Sequence, residues 1–118
     1  MLDFSNSKIL IVGDVMLDKY YFGKVDRISP EAPVPIVNIQ KEESRLGGAS
    51  NVANNIVSLG GHSLLCGVIG HDLFGKEIER ISRHKNIDTF LLKTSSPTIT
   101  KARIIGGKQQ IVRVDYED

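Results

Sequence analysis

The chain has 118 residues, 41% of them apolar and 25% charged, with a formal net charge of +1. That length holds at most one domain with a modest core, and the composition is that of an ordinary globular protein rather than a disordered or fibrous one. Fifteen basic against 14 acidic residues and few aromatics argue against a nucleic-acid binder; no apolar run nears the roughly 18 residues of a membrane span, and no signal-peptide pattern opens the chain.

In chain order, Lys8–Val12 is a short apolar run ending at Gly13, the pattern of a buried strand feeding a tight turn. Tyr20–Phe22 and Val34–Gln40 are β-prone, separated by Ser29-Pro30-Glu31-Ala32-Pro33, a loop that its two prolines keep extended. Asn51–Leu59 places Val52, Ile56 and Leu59 at helical spacing, and Gly60-Gly61 stops the helix. Ser63–Ile69 reads as a second buried strand. Its apolar neighbours predict a buried thiol at Cys66, and a lone cysteine fits a reducing cytoplasm. Asp72 caps a helix running to about His84, with Leu73, Ile78 and Ile81 on its apolar face. Thr89–Leu92 is a third core strand, and Ile99–Ile105 and Gln109–Asp115 form a hairpin around Gly106-Gly107-Lys108, its register open.

Strand, helix, strand, helix, strand predicts an α/β fold of right-handed βαβ units, a parallel sheet flanked by helices. The β segments near 20–40 and 99–115 fall outside that alternation. They form either a small separate lid or an edge extension of the main sheet.

In open α/β sheets ligands bind at the carboxyl ends of the strands, which singles out Gly13-Asp14. A carboxylate there accepts hydrogen bonds from sugar hydroxyls; the alternative is that Asp14 only caps a turn. Asp18 either joins the same crevice or is a solvated turn residue. One glycine in Gly13–Asp18 is too few for a dinucleotide fingerprint. The second element is Gly47-Gly48-Ala49-Ser50-Asn51-Val52-Ala53, with Gly60 and Gly70 beyond it. The glycine pair permits close approach of backbone to ligand, the helix start after it offers free N–H groups, and Asn51 can donate and accept together. Lys101, Arg103 and Arg113 share one hairpin face and can hold a phosphate, or simply form a solvated face. His62, His71 and His84 have no metal-like spacing, so no metal site is expected. Gly70-x-Asp72-x-x-Gly75 shapes a strand-to-helix turn and is given no chemistry.

Gly-Gly-Ala-x-Asn-x-Ala with its trailing glycines resembles the first signature of the PfkB (ribokinase-like) family of carbohydrate kinases. Gly13–Tyr20, Arg27-Ile28-Ser29-Pro30-Glu31-Ala32-Pro33-Val34-Pro35, Pro97–Lys101, Gln109-Gln110 and Arg113-Val114-Asp115 resemble its D-glycero-β-D-manno-heptose 7-phosphate kinase branch, often joined to an ADP-heptose synthase activity. The resemblance implies a ribokinase-like sheet with a small β lid, core at about 8–13 and 47–92, lid at about 20–40 and 99–115. It implies transfer of the ATP γ-phosphate, with Mg²⁺, to the 1-hydroxyl of heptose 7-phosphate for lipopolysaccharide core synthesis. Asp14, Gly47, Gly48 and Asn51 match the family's sugar-binding positions, and Lys101 and Arg103 fall on the lid near the substrate phosphate. Lid strands of related kinases pair across dimers, so a homo-oligomer is expected, with no nucleic-acid or membrane partner.

The family's catalytic Asp lies in a Gly-Ala-Gly-Asp-type motif, and neither it nor the ATP site appears in these 118 residues. The chain therefore reads as the N-terminal, sugar-side portion of a kinase, without catalytic residues or cofactor-binding residues of its own and inactive alone. Two alternatives stand beside it: another sugar kinase of the same superfamily, and a non-catalytic sugar-phosphate binding or oligomerisation module.

Overall fold

In the computed structural model, which describes residues 2–118, the elements run β1 (Lys8–Val12), β2 (Val15–Ile28), β3 (Pro35–Gly48), α1 (Ala49–Ser58), β4 (His62–Gly70), α2 (Leu73–His84), β5 (Asp88–Thr94), β6 (Ile99–Gly106) and β7 (Gln109–Tyr116). The three apolar runs expected as core strands pair in parallel in the order β1-β4-β5. The remaining strands make a second sheet of order β3-β2-β6-β7. The β segments outside the alternation thus build a separate lid rather than an edge extension. The molecule is a thin plate, 58 × 39 × 18 Å.

Register explains which residues are buried. Ile11, Ser63, Leu65 and Ile69 lie on the core-sheet face that α1 and α2 cover. The alternate residues Leu10, Val12, Leu64, Val68, Phe90 and Leu92 share the opposite face and are exposed, as the period of two requires. Cys66 lies on that open face. It is half-buried, not buried as its apolar neighbours suggested, because the residues that share its face, Leu64, Val68 and Phe90 among them, are uncovered, while buried Leu65 and Ile69 point the other way.

Both helices differ from expectation in the face they bury. In α1 the inward residues are Ser50, Ala53, Ile56 and Val57, while Val52 and Leu59 are exposed. Small Ser50 and Ala53 let the helix sit close to the sheet, near enough for the Ser63 hydroxyl to donate to the Ala53 carbonyl at 3.3 Å. In α2, Ile78 and Ile81 are buried as expected, but Leu73, at the first position, points to solvent.

The lid joins this core through Val15, Leu17 and Leu46, which belong to the same apolar cluster as Leu65 and Ile78. β2 is therefore a strand of the lid and a component of the core.

Asp72 is the α2 N-cap, its carboxylate accepting from Gly75 N–H at 2.8 Å. Burial alone would raise its pKa. Hydrogen bonds from the Thr98 hydroxyl, Thr98 N–H and Gly75 N–H outweigh burial and hold the carboxyl below its ordinary value of 3.8. A carboxyl with a depressed folded-state pKa contributes stability that is complete above its unfolded value and lost as the pH falls through the folded one. The melting temperature is accordingly expected to begin falling near pH 3.8 and to continue falling below it. Asp72→Asn should flatten part of that fall, as circular-dichroism melts across pH 2.5–7 would read, these pH limits being roughly those that bracket a carboxylate titration.

Candidate functional site

The site forms where chain leaves the core for the lid and returns. β1 ends at Val12, Gly13-Asp14 make the outward crossing, and β3 returns through Gly47-Gly48 into α1. Ala49 N–H donates to the Asp14 carbonyl at 2.8 Å, closing the two crossings together. Gly48 sits at φ 56°, and any Cβ there would collide with that same carbonyl. Glycine is required at this position for both reasons.

Gly48 is also the α1 N-cap position, and no side chain caps the helix. The Ser50 hydroxyl donates instead to the Gly47 and Met16 carbonyls, bracing the turn. No acidic residue occupies the first turn. Apart from Ala49 N–H, which the Asp14 carbonyl takes, the first-turn N–H groups have no side-chain cap among the described residues, and with the positive end of the dipole they suit a hydroxyl-rich or anionic ligand.

The backbone brings Asp14, Gly47 and Gly48 together at one junction. Their side-chain surroundings differ from those of Asn51. Asp14 lines a depression of about 480 Å³ with Val12, Gly67, Ser96, Pro97 and Ile99. Asn51 lines a neighbouring one of about 500 Å³ with Asp18, Tyr20, Arg45 and Asn54. Among the described residues the Asp14, Asn51 and Lys101 side chains make no hydrogen bond or ion pair. Asp18, by contrast, is engaged: its Oδ1 accepts from Arg103 Nη1 at 3.1 Å.

Lid register aligns the cations. Lys101 lies directly across from Asp18, and Arg103 across from Tyr20 on one side and Arg113 on the other. Residues directly opposite share a face, so Lys101, Arg103 and Arg113 share one face as the spacing suggested. Arg113 is bonded to Asp115 at 2.9 Å.

Two further residues belong to this face and escaped the sequence reading. The Tyr20 ring has the Arg45 guanidinium 4.7 Å from its centroid and that of Arg103 at 5.3 Å. Such stacking holds a guanidinium in place while leaving its in-plane N–H groups available. The alternation of charge in Lys41, Glu43 and Arg45 was the available signal, but only the β2–β3 register shows that it faces Tyr20.

His62, His71 and His84 are all exposed and well separated. Among the described residues no group of three or more His, Cys, Asp or Glu side chains is placed to hold a metal ion.

The chain is 51% identical over 114 residues to the D-beta-D-heptose 7-phosphate kinase of Bordetella bronchiseptica, covering 96% of this chain and 36% of that protein. It is 52% identical over 111 residues to the bifunctional protein HldE of a Nitratiruptor species, covering 94% of this chain and 24% of the relative. The chain thus spans between a quarter and about a third of these relatives' length. In fold it is similar to a carbohydrate kinase from Agrobacterium tumefaciens, with TM-score 0.75 at 18% identity over 92% of this chain and 35% of that one. The ribokinase of Giardia lamblia is similar too, with TM-score 0.63 at 23% identity over 92% and 35% of the two chains. The fold is therefore ribokinase-like. With the family model for PfkB carbohydrate kinases matching residues 6–117, this chain belongs to the PfkB family.

Proposed function

We propose that the chain is the sugar-binding part of a kinase that phosphorylates the 1-hydroxyl of D-glycero-D-manno-heptose 7-phosphate, a step toward ADP-heptose and the lipopolysaccharide core. The observation that carries this reading is the Asp14 carboxylate, exposed and, among the described residues, without a hydrogen-bond or ion-pair partner, beside the uncapped start of α1. The likeness to relatives named as heptose 7-phosphate kinase and HldE supplies the substrate class.

Each residue then has a role. Asp14 accepts hydrogen bonds from sugar hydroxyls, fixing the ring's orientation. Asn51 donates and accepts at a second edge of the sugar. Gly47 and Gly48 let the backbone approach the ring, and the α1 N–H groups face it. Lys101 and Arg103 hold the substrate's phosphate from the lid. Arg103, steadied by Asp18 and Tyr20, offers its remaining N–H groups in a fixed plane. ATP, with Mg²⁺, supplies the transferred phosphoryl group, and the residues of this chain contribute by binding, orienting and screening the acceptor. Exposed Val112, Val114 and Tyr116 on the edge strand β7 support a homodimer through the lid. ATP as co-substrate and the lone half-buried cysteine support a cytoplasmic location.

Calorimetric titration with heptose 7-phosphate, fructose 6-phosphate and ribose tests the reading, and sedimentation of the same samples reads the dimer. Heptose 7-phosphate is expected to bind most tightly, with affinity reduced about tenfold by Asn51→Ala, as for loss of one hydrogen bond. Equal affinity for all three ligands would replace the heptose assignment with a general sugar-kinase lobe. Absence of binding by any would refute a sugar site within these residues. The 118 residues alone are expected to leave ATP unconsumed in the presence of the sugar phosphate.

A further inference from the structure

Three crossings join core to lid: Gly13–Asp14, Gly48–Ala49, and the segment 95–98 between β5 and β6. The first two are tied to each other at the sugar-facing junction. The third is tied elsewhere. Thr98, 1% exposed, donates its hydroxyl to Asp72 Oδ1 at 2.6 Å and its N–H to Asp72 Oδ2 at 2.9 Å. The same hydroxyl oxygen accepts Gly70 N–H at 2.8 Å.

A capping aspartate needs one oxygen for its helix, and Asp72 already gives Oδ1 to Gly75 N–H. Its second oxygen and the link through Gly70 do nothing for α2. They fasten the crossing segment to the end of β4. Packing agrees, since a side chain at Gly70 would strike Thr98 N and Asp72 Oδ2 at under 3 Å. The residues around Thr98, namely Ser96, Pro97 and Ile99, form a wall of the Asp14 depression, and Ile99 pairs with Met16 in the first rung of the β2–β6 ladder.

We infer that Asp72 is a positioning residue: through Thr98 it pins the third crossing to the end of β4 and so sets the angle of the lid over the Asp14 crevice. With this latch open, the lid is held to the core by the two remaining crossings and by Val15, Leu17 and Leu46, and its distal end at the β6–β7 turn loses its fixed distance from α1. The inference concerns how the lid is held and stands whichever sugar the crevice takes.

Pulsed electron-spin distance measurement on the 118-residue chain tests it, with labels at Ser58 on α1 and Lys108 at the β6–β7 turn in a Cys66→Ala background. The unmodified latch should give one narrow distance distribution. Thr98→Val, which leaves the α2 cap intact, and Asp72→Ser, which retains a capping oxygen, should each widen it roughly twofold, as for a released hinge. Thr98→Ser keeps the hydroxyl and should keep the narrow distribution. Unchanged widths in Thr98→Val and Asp72→Ser would overturn the inference, as would a widening that Thr98→Ser does not prevent. Global unfolding of both variants, seen by circular dichroism, would also overturn it, because the bonds would then hold the core and not a joint. Since no sugar is added, failure here is distinct from failure of the heptose assignment.

Discussion

Asp14→Ala is expected to weaken heptose 7-phosphate binding about 100-fold while leaving stability within about 0.5 kcal/mol of the unmodified chain. The size follows from losing one or two hydrogen bonds to a charged acceptor, each worth about 1.5–3 kcal/mol. Stability is spared because the Asp14 side chain is exposed and unbonded among the described residues. The fold uses its backbone carbonyl, which accepts from Ala49 N–H. Asp14→Asn keeps one oxygen acceptor and should lose only about tenfold. Calorimetry paired with urea denaturation reads both quantities, and an affinity change below about threefold for the alanine variant would remove Asp14 from the sugar site.

Leu17→Ala should have the largest effect on folding, about 2–5 kcal/mol, out of a total of about 5–15 kcal/mol for a domain. Leu17 is fully buried, at 0% exposure, although its strand belongs to the lid. It packs in one cluster with Leu46 from β3, Leu65 from the core sheet and Ile78 from α2, so the cavity left behind opens at the weld between the two sheets. Leu10→Ala, on the open face at 61% exposure, should cost under about 0.5 kcal/mol. A Leu17→Ala cost near that of Leu10→Ala would mean that lid and core are stabilised separately. A single shared urea transition, lowered as a whole in Leu17→Ala, is the expected result.

The core was legible because its signals are local. Apolar runs at Lys8–Val12 and Ser63–Ile69, a capping Asp72 and the Gly60-Gly61 stop each mark an element without reference to distant chain. The lid strands were legible only at their most β-prone centres. β2 was expected at Tyr20–Phe22 and runs from Val15 to Ile28; β3 was expected at Val34–Gln40 and runs on to Gly48. Most of the missing part of β3 is Lys41-Glu42-Glu43-Ser44-Arg45, whose composition reads as a solvated loop. It is a strand because Lys41, Glu43 and Arg45 lie opposite Phe22, Tyr20 and Asp18, where stacking and charge pairing replace apolar burial. The site shows the same division. Asp14, Gly47, Gly48 and Asn51 follow from one motif and one strand end, whereas Tyr20 and Arg45 become visible only once two strands are set in register.

The parallel pairing of β2 with β6 has a consequence in time. Arg103 reaches Asp18 across 85 residues of sequence, while β2 meets β3 through a short loop, β4 meets β5 across α2 alone, and β1 meets β4 across the β2–β3 hairpin and α1. Contacts between distant segments form late, since the intervening chain must first be ordered. The β2–β3 hairpin and the β4–α2–β5 unit are thus expected to assemble first, the β1–β4 pairing after them and the β2–β6 seam last, so that the cationic surface is completed in the final stage of folding.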